Sequence, residues 1–421
     1  MTHTTGSAES SSTGTAPRRG DAAKLAVLMV TAFMDMVGVL MIVPLMPFYA
    51  KHMGANGFVV GLLVSSFSIA QLLMAPVWGR LSDQYGRRPA LIVGMTASAI
   101  AYVIFAFADS LWLLFFSRLV QGAGGGTVSV IQAYVADAVE PKDRAKGLGW
   151  LSAATNAGVA LGPVLGALAF KLGTPGPGLL AAALSVVNIG FAWRFLTESR
   201  DMTEAAAVRS RPQIPGRSRQ AVMRVASHPN EPASRLIWIY AIAIGAFQGS
   251  TAILALFLAA RFSVTEKTIG FFFAYIGVLS VVTRALILGP AVDKFGEARL
   301  SRVGLVLLAT GLALLPFMHP ASHAMLTYLP LALAVALLPL GTAFTFPCVT
   351  ALLSRVVPSS ERGLYMGVQQ TFGGAARVLF PIVYGYLFDR VIELPFVLAA
   401  TLVAATILLG LGMESYQAKA A

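Results

Sequence analysis

Apolar residues come in long, nearly unbroken runs separated by short polar stretches. Runs of spanning length lie at 24–50, 57–79, 89–109, 111–138, 145–171 and 178–197, and again at 235–260, 267–289, 300–319, 325–356, 363–388 and 392–413. A helix rises about 1.5 Å per residue, so about 20 residues cross the hydrocarbon layer. The longer runs leave room for tilt or kinks. The pattern predicts an all-α integral membrane protein with twelve transmembrane helices. Residues 198–234 are polar and read as a cytoplasmic linker between two six-helix bundles, 23–197 and 235–413. Residues 1–22, rich in Ser, Thr and Gly, read as a disordered cytoplasmic tail, and 414–421 as a second short tail.

Composition and charge sharpen this picture. Of 421 residues, 57% are hydrophobic and 12% charged, against about 25% charged in soluble domains. That excess excludes a disordered chain and a typical cytosolic enzyme. The net charge of +12 raises the question of a nucleic-acid partner, but its distribution answers it. Threaded from a cytoplasmic N-terminus, 22 of the 31 Lys and Arg fall on the same side as both termini and five on the other. Four lie inside apolar runs: Arg118, Arg194, Arg284 and Arg377. The positive-inside rule then places both termini in the cytoplasm, and the basic side faces anionic lipid rather than nucleic acid. The lone Cys348 excludes an internal disulfide and a multi-cysteine metal site. No metal or other cofactor is expected, and no hydrolase, zinc-protease or phosphate-loop motif points to an enzyme.

The chain repeats itself. Gly79, Asp83 and Gly86 recur as Gly289, Asp293 and Gly296, each 210 residues on; Arg144, Gly149 and Pro163 recur as Arg362, Gly367 and Pro381, each 218 on. Two parallel halves related by an axis along the membrane normal are a transporter architecture, with the substrate site between them near the midplane.

Residues 79–89, Gly-Arg-Leu-Ser-Asp-Gln-Tyr-Gly-Arg-Arg-Pro, resemble the 2–3 loop signature of the major facilitator superfamily. Gly79 and Gly86 permit a tight turn. Asp83 can sit at the N-terminus of the helix beginning near Gly363, where the helix dipole favours an anion. Arg87 can pair with Asp137, and Arg88 adds charge. These residues read as a latch between the halves in one conformation. Arg118, Gln121, Gly122, Gly124, Gly125 and Gly126 are similar to the helix-4 motif of the same superfamily. An arginine at that depth faces a cavity or snorkels outward, and the small, polar stripe beneath it (Gly122, Gly125, Ser129) favours the cavity. Gly158, Gly162, Pro163 and Gly166 resemble the helix-5 antiporter motif, in which a smooth strip allows close helix packing and a proline loosens the ladder. Asp35, Gly38, Pro44 and Pro47 in helix 1 are similar to the twelve-helix drug:proton antiporter branch, which includes tetracycline exporters. The resemblance spans residues 24 to about 413.

Asp35 is the one acid that falls deep in a span. An ionisable group there is functional by default: a proton carrier, or a structural partner for Arg118 or Arg377. Arg377 shares a helical face with Gln370, Gly374 and Pro381 and reads as cavity-lining. Arg284, about five residues from the inner end of its run, reads as snorkelling to the interface. The amides Gln71, Asn156, Gln248 and Gln370 join the cavity set with Gln121. The implied activity is proton-coupled efflux of small amphipathic organic compounds or drugs by alternating access. The proton gradient is its energy source, and a monomer in the cell membrane is the expected form. A uniporter or proton symporter of a small metabolite or anion is the alternative. Ala101 stands where tetracycline exporters carry an aspartate, which argues against tetracycline itself. With Arg118 and Arg377 facing one carboxyl, the centre favours neutral or anionic compounds over cations.

Overall fold

The computed structural model describes residues 19–125, 127–138, 144–198, 217–359 and 361–413. Residues 1–18, 126, 139–143, 199–216 within the linker, 360 and 414–421 lie outside the described residues. Every regular element described is helical. The first group comprises α1 (Arg19–Ile42), the short α2 (Met46–His52), α3 (Gly57–Tyr85), α4 (Arg87–Ala106), α5 (Leu111–Gly124), α6 (Thr127–Ala138), α7 (Arg144–Ala169) and α8 (Gly176–Phe195). A linker helix, α9 (Arg217–Ser227), precedes α10 (Pro232–Phe262), α11 (Ile269–Val282), α12 (Leu288–Phe295), α13 (Glu297–Leu314), α14 (Ala324–Val356), α15 (Arg362–Arg390) and α16 (Leu394–Leu409). Among the described residues ten helical stretches are long and apolar enough to cross a membrane.

Local chemistry sets the boundaries. Asn56 starts α3 by accepting the Val59 N–H at 3.0 Å, satisfying an otherwise orphaned donor. Gly86 ends α3 with φ +101°, and Gly296 ends α12 with φ +74°. Both repeat glycines thus hold a conformation that a Cβ disfavours. The run 111–138 is split into α5 and α6 at its glycine cluster, where each glycine weakens a helix by about 1 kcal/mol. The run 267–289 continues as far as Phe295, through a single π-helical turn at Thr283–Ile287.

Within the first group α1 packs on α7 and α8, and α4 on α5 and α8; within the second, α10 packs on α15 and α16, and α13 on α14 and α16. The groups meet along two seams, α3 with α15 and α7 with α11. Backbones touch at both. A Cβ on Gly61 would stand 2.1 Å from the Pro381 carbonyl, and one on Gly270 would stand 2.3 Å from the Pro163 carbonyl. The two prolines are the repeat pair of the sequence, so the seams are copies of each other. Farther along the first seam Asp389 accepts the N–H of Gly57 at 2.6 Å and of Phe58 at 2.8 Å. The opposite, arginine-rich end is different. A Cβ on Gly79, Gly149, Gly289, Gly363 or Gly367 would meet nothing within 4 Å. The helices are therefore apposed at the end carrying Gly57 and Asp389, and spread at the end carrying Asp83 and Arg362.

Candidate functional site

Asp35 is buried in α1, and its carboxylate accepts a hydrogen bond from the Thr127 hydroxyl at 2.9 Å. Thr127 is the first residue of α6, so the glycine break that interrupts the fourth run delivers this donor. One turn along α1, Gly38 makes room for Tyr102 of α4, whose hydroxyl would lie 3.1 Å from a Cβ there. Arg118, also buried, donates to the Gln121 side-chain oxygen and lies over the Phe67 ring, 4.6 Å from its centroid. Its Nε and the Gln121 amide nitrogen are buried without a hydrogen-bond partner. Among the described residues Asp35 forms no ion pair with Arg118 or Arg377. The helix-5 glycines support this cluster from behind. Cβ atoms at Gly158, Gly162 and Gly166 would strike α1 at Phe33 and Met36, at Val37 and Leu40, and at Met41. The small-residue strip thus seats the helix that carries Asp35, while Pro163 on the same helix meets α11.

A second cluster lies across the seam. Arg284 donates through Nη1 to the Asn156 side-chain oxygen at 3.3 Å, bridging α7 and the π-helical turn. The helix that carries Arg284 runs on through α12 to Phe295, eleven residues beyond it, and its side chain is half-buried. Arg377 donates to the Tyr240 hydroxyl at 3.5 Å. The remaining amides are distributed. Gln71 donates to the Gly125 carbonyl at 3.1 Å and ties α3 to the α5–α6 break. Gln248 is half-buried without a hydrogen bond among the described residues, and Gln370 is exposed on α15. Ser129, as a side chain, lies outside the described residues.

At the basic end Arg87 is buried at the first turn of α4. It donates to Asp137 at 2.9 Å and to Ser82 at 2.6 Å, and it pairs with Asp83 at 2.9 Å. Glu198 accepts the backbone N–H of Arg87 at 2.9 Å and of Arg88 at 3.1 Å, where a helix N-terminus favours an anion. Gly363 is not against this cluster in the present conformation. The second half holds the mirror of the Arg87–Asp137 pair with its signs exchanged. Glu297 stands 210 residues after Arg87, Arg355 stands 218 after Asp137, and the two pair at 2.5 Å. The periodicity contained that pair, but a search for identical residues passes over it. Thr127, Tyr102, Tyr240 and Glu198 carried no sequence signal, since nothing in an apolar run says which hydroxyl meets which helix.

The family model of the Major Facilitator Superfamily matches residues 28–381 and 236–418. The chain is 26% identical to the tetracycline resistance protein, class B, of Escherichia coli, over 86% of this chain and 88% of that one. It is 27% identical to multidrug resistance protein 2 of Bacillus subtilis (strain 168), over 92% and 93%. Among solved structures it superposes on the nucleoside transporter NupG with a TM-score of 0.72 at 15% identity, over 95% and 99% of the two chains. It superposes on the human organic anion transporter MFSD10 with a TM-score of 0.66 at 21% identity, over 93% and 100%.

Proposed function

The chain belongs to the Major Facilitator Superfamily, and from that premise we propose that it exports small amphipathic organic compounds across the cell membrane in exchange for protons. The relatives it matches over most of their length are named for tetracycline and multidrug resistance, which favours export over uptake. In this reading α5 and α6 together form the fourth span and α16 the twelfth, completing two six-helix bundles, 23–197 and 235–413, joined by the 198–234 linker. Both termini are cytoplasmic, and the spread, basic end opens to the cytoplasm. The protein works as a monomer in lipid, with protons and a small molecule as its partners.

The observation that carries the proposal is Asp35. It is a buried carboxyl within the spans, held by one hydroxyl and by no cation among the described residues. Such a group is free to exchange its proton for a change in cavity contents. With the basic end open, Asp35 yields its proton to the cytoplasm as the compound enters. The halves then rock about the seams, the compound leaves on the far side, and Asp35 reloads there. Each charge moved across 100 mV contributes about 2.3 kcal/mol. The Asp83–Arg87–Asp137 bonds are made within the first group in the present conformation; the latch between the halves, in which this cluster at the end of α3 closes on the start of α15, belongs to the other one. The test is Asp35→Asn in proteoliposomes: pH-gradient-driven export should vanish while compound binding persists. Active export by that variant at the native rate removes Asp35 from the mechanism.

A further inference from the structure

We propose that Arg284 and Arg377 form the recognition half of the substrate site and that the exported compounds are organic anions, carboxylates or sulfonates on an aromatic body. This rests on the export reading and names its substrate class. Both guanidinium groups sit at mid-depth. Arg284 is fifteen residues from the start of α11, and Arg377 fifteen from the start of α15, about 22 Å of helix in each case. Arg377 donates to the Tyr240 hydroxyl at 3.5 Å. Arg284 also reaches the first group through Asn156, so it stands where the two groups meet.

The bonds these arginines make are weak ones. At 3.3 and 3.5 Å they lie at or beyond the long end of the hydrogen-bond range. Each guanidinium offers five N–H donors, and the Nε of Arg284 is buried with no partner. Neither side chain has a carboxylate within ion-pair distance among the described residues. Asp35, the carboxyl buried within the spans, is bonded instead to Thr127. An unpaired charge at this depth is costly and marks a pathway or site. The π-helical turn at Thr283–Ile287 contains Arg284; such turns re-aim a side chain and gather at functional sites. A carboxylate or sulfonate matches the planar guanidinium fork. The surface for its organic part adjoins. Tyr240 meets Phe346 edge-on at 5.4 Å, and Trp238 meets Phe372 at 5.1 Å. A cation would face two half-buried guanidinium groups with no carboxylate in ion-pair distance of either among the described residues.

Fluorescein and rhodamine 123 share a xanthene ring and differ in charge. Their binding to the purified full-length protein is read by fluorescence anisotropy at pH 7.5. Fluorescein should bind at least tenfold more tightly than rhodamine 123. Arg284→Gln and Arg377→Gln should each raise the fluorescein Kd about tenfold, Arg377→Lys less so, with rhodamine 123 binding unchanged or improved. Thermal unfolding and size-exclusion profiles confirm that each variant is folded. Equal or tighter binding of rhodamine 123, no fluorescein binding, or native affinity in both Gln variants overturns the proposal. The export reading stands or falls separately, on uncoupler-sensitive transport of either dye in proteoliposomes.

Discussion

Asp389 should act as a clamp on the closed end of the molecule. Its two oxygens accept the N–H groups of Gly57 and Phe58, the first residues of α3, from the far end of α15. The contact crosses from one group to the other and exists only while that end is shut. A hydrogen bond to a charged acceptor contributes about 1.5–3 kcal/mol when buried, but Asp389 is exposed, so each is discounted to about 1 kcal/mol. The helix dipole adds a few tenths of a kcal/mol. Asp389→Ala should therefore cost the present conformer about 2 kcal/mol relative to the one open at this end. At 1.4 kcal/mol per factor of ten, that is about a 30-fold shift in their ratio. Spin labels at the exposed positions Leu172 and Phe317, in a Cys348→Ser background, lie at this end on the two groups. Their distance distribution should gain a longer component in the variant, with Asp389→Asn intermediate. Distributions identical to the unmutated protein at every pH and substrate concentration would refute the clamp.

Four further outcomes follow from the packing and the ion pairs. Gly61→Ala and Gly270→Ala place a Cβ against a carbonyl on the opposite group. Overpacking of this kind costs about 1–3 kcal/mol, so the same labels should report opening, and unaltered distances would count against backbone contact at the seams. Arg87→Glu should lower the thermal midpoint in detergent by breaking the pair with Asp137, and adding Asp137→Arg should recover part of the loss by copying the Glu297–Arg355 arrangement. No recovery in the double variant would mean that the exchanged signs are not equivalent. Thr127→Val removes the hydroxyl bonded to Asp35 and should alter the pH profile of export without abolishing binding, whereas an unchanged profile would separate Thr127 from the proton step. At the closed end, the backbone N–H of Glu393 itself and then the Arg261 guanidinium hold the Glu393 carboxyl below the usual carboxylate range. A depressed value means the charged form stabilises the fold at neutral pH, and that contribution fades as the pH falls through the carboxylate range. Glu393→Gln should therefore be less stable than the unmutated protein at pH 7, with the gap narrowing below about pH 4.

The spans were legible in the sequence because hydrophobic length is a one-dimensional property. All twelve apolar runs contain helix, with ends shifted where a glycine cluster or a π-helical turn intervened. Close-packing residues were legible for a similar reason: glycine at four-residue spacing has few uses other than letting another backbone approach. The partners of polar residues were less so. Asp35 was visible as a buried acid, but its donor Thr127 belongs to a helix fragment that begins only because Gly124–Gly126 interrupts the run. The partner of Arg284, Asn156 on another helix, was likewise not legible.

The sign exchange between the halves bears on how the protein can rock. A latch made of identical charges in both halves would repel across the pseudo-twofold axis as the basic end closed. With Arg87–Asp137 in one half and Glu297–Arg355 in the other, each half instead presents a neutralised pair at the start of its third span. The uncompensated charge is left to the loops and the linker. The bonds from Asp389 to the start of α3, which cross at the opposite end beside the His52–Glu266 pair at 3.1 Å and the Phe58–Tyr386 ring contact, are exposed and weak enough to be broken by the binding energy of one small molecule. A much stronger bond there would stall the cycle. Asp389→Glu, which keeps the charge but lengthens the reach, should consequently slow export more than it weakens binding, and an export rate above native would show that closure at that end is not what limits the cycle.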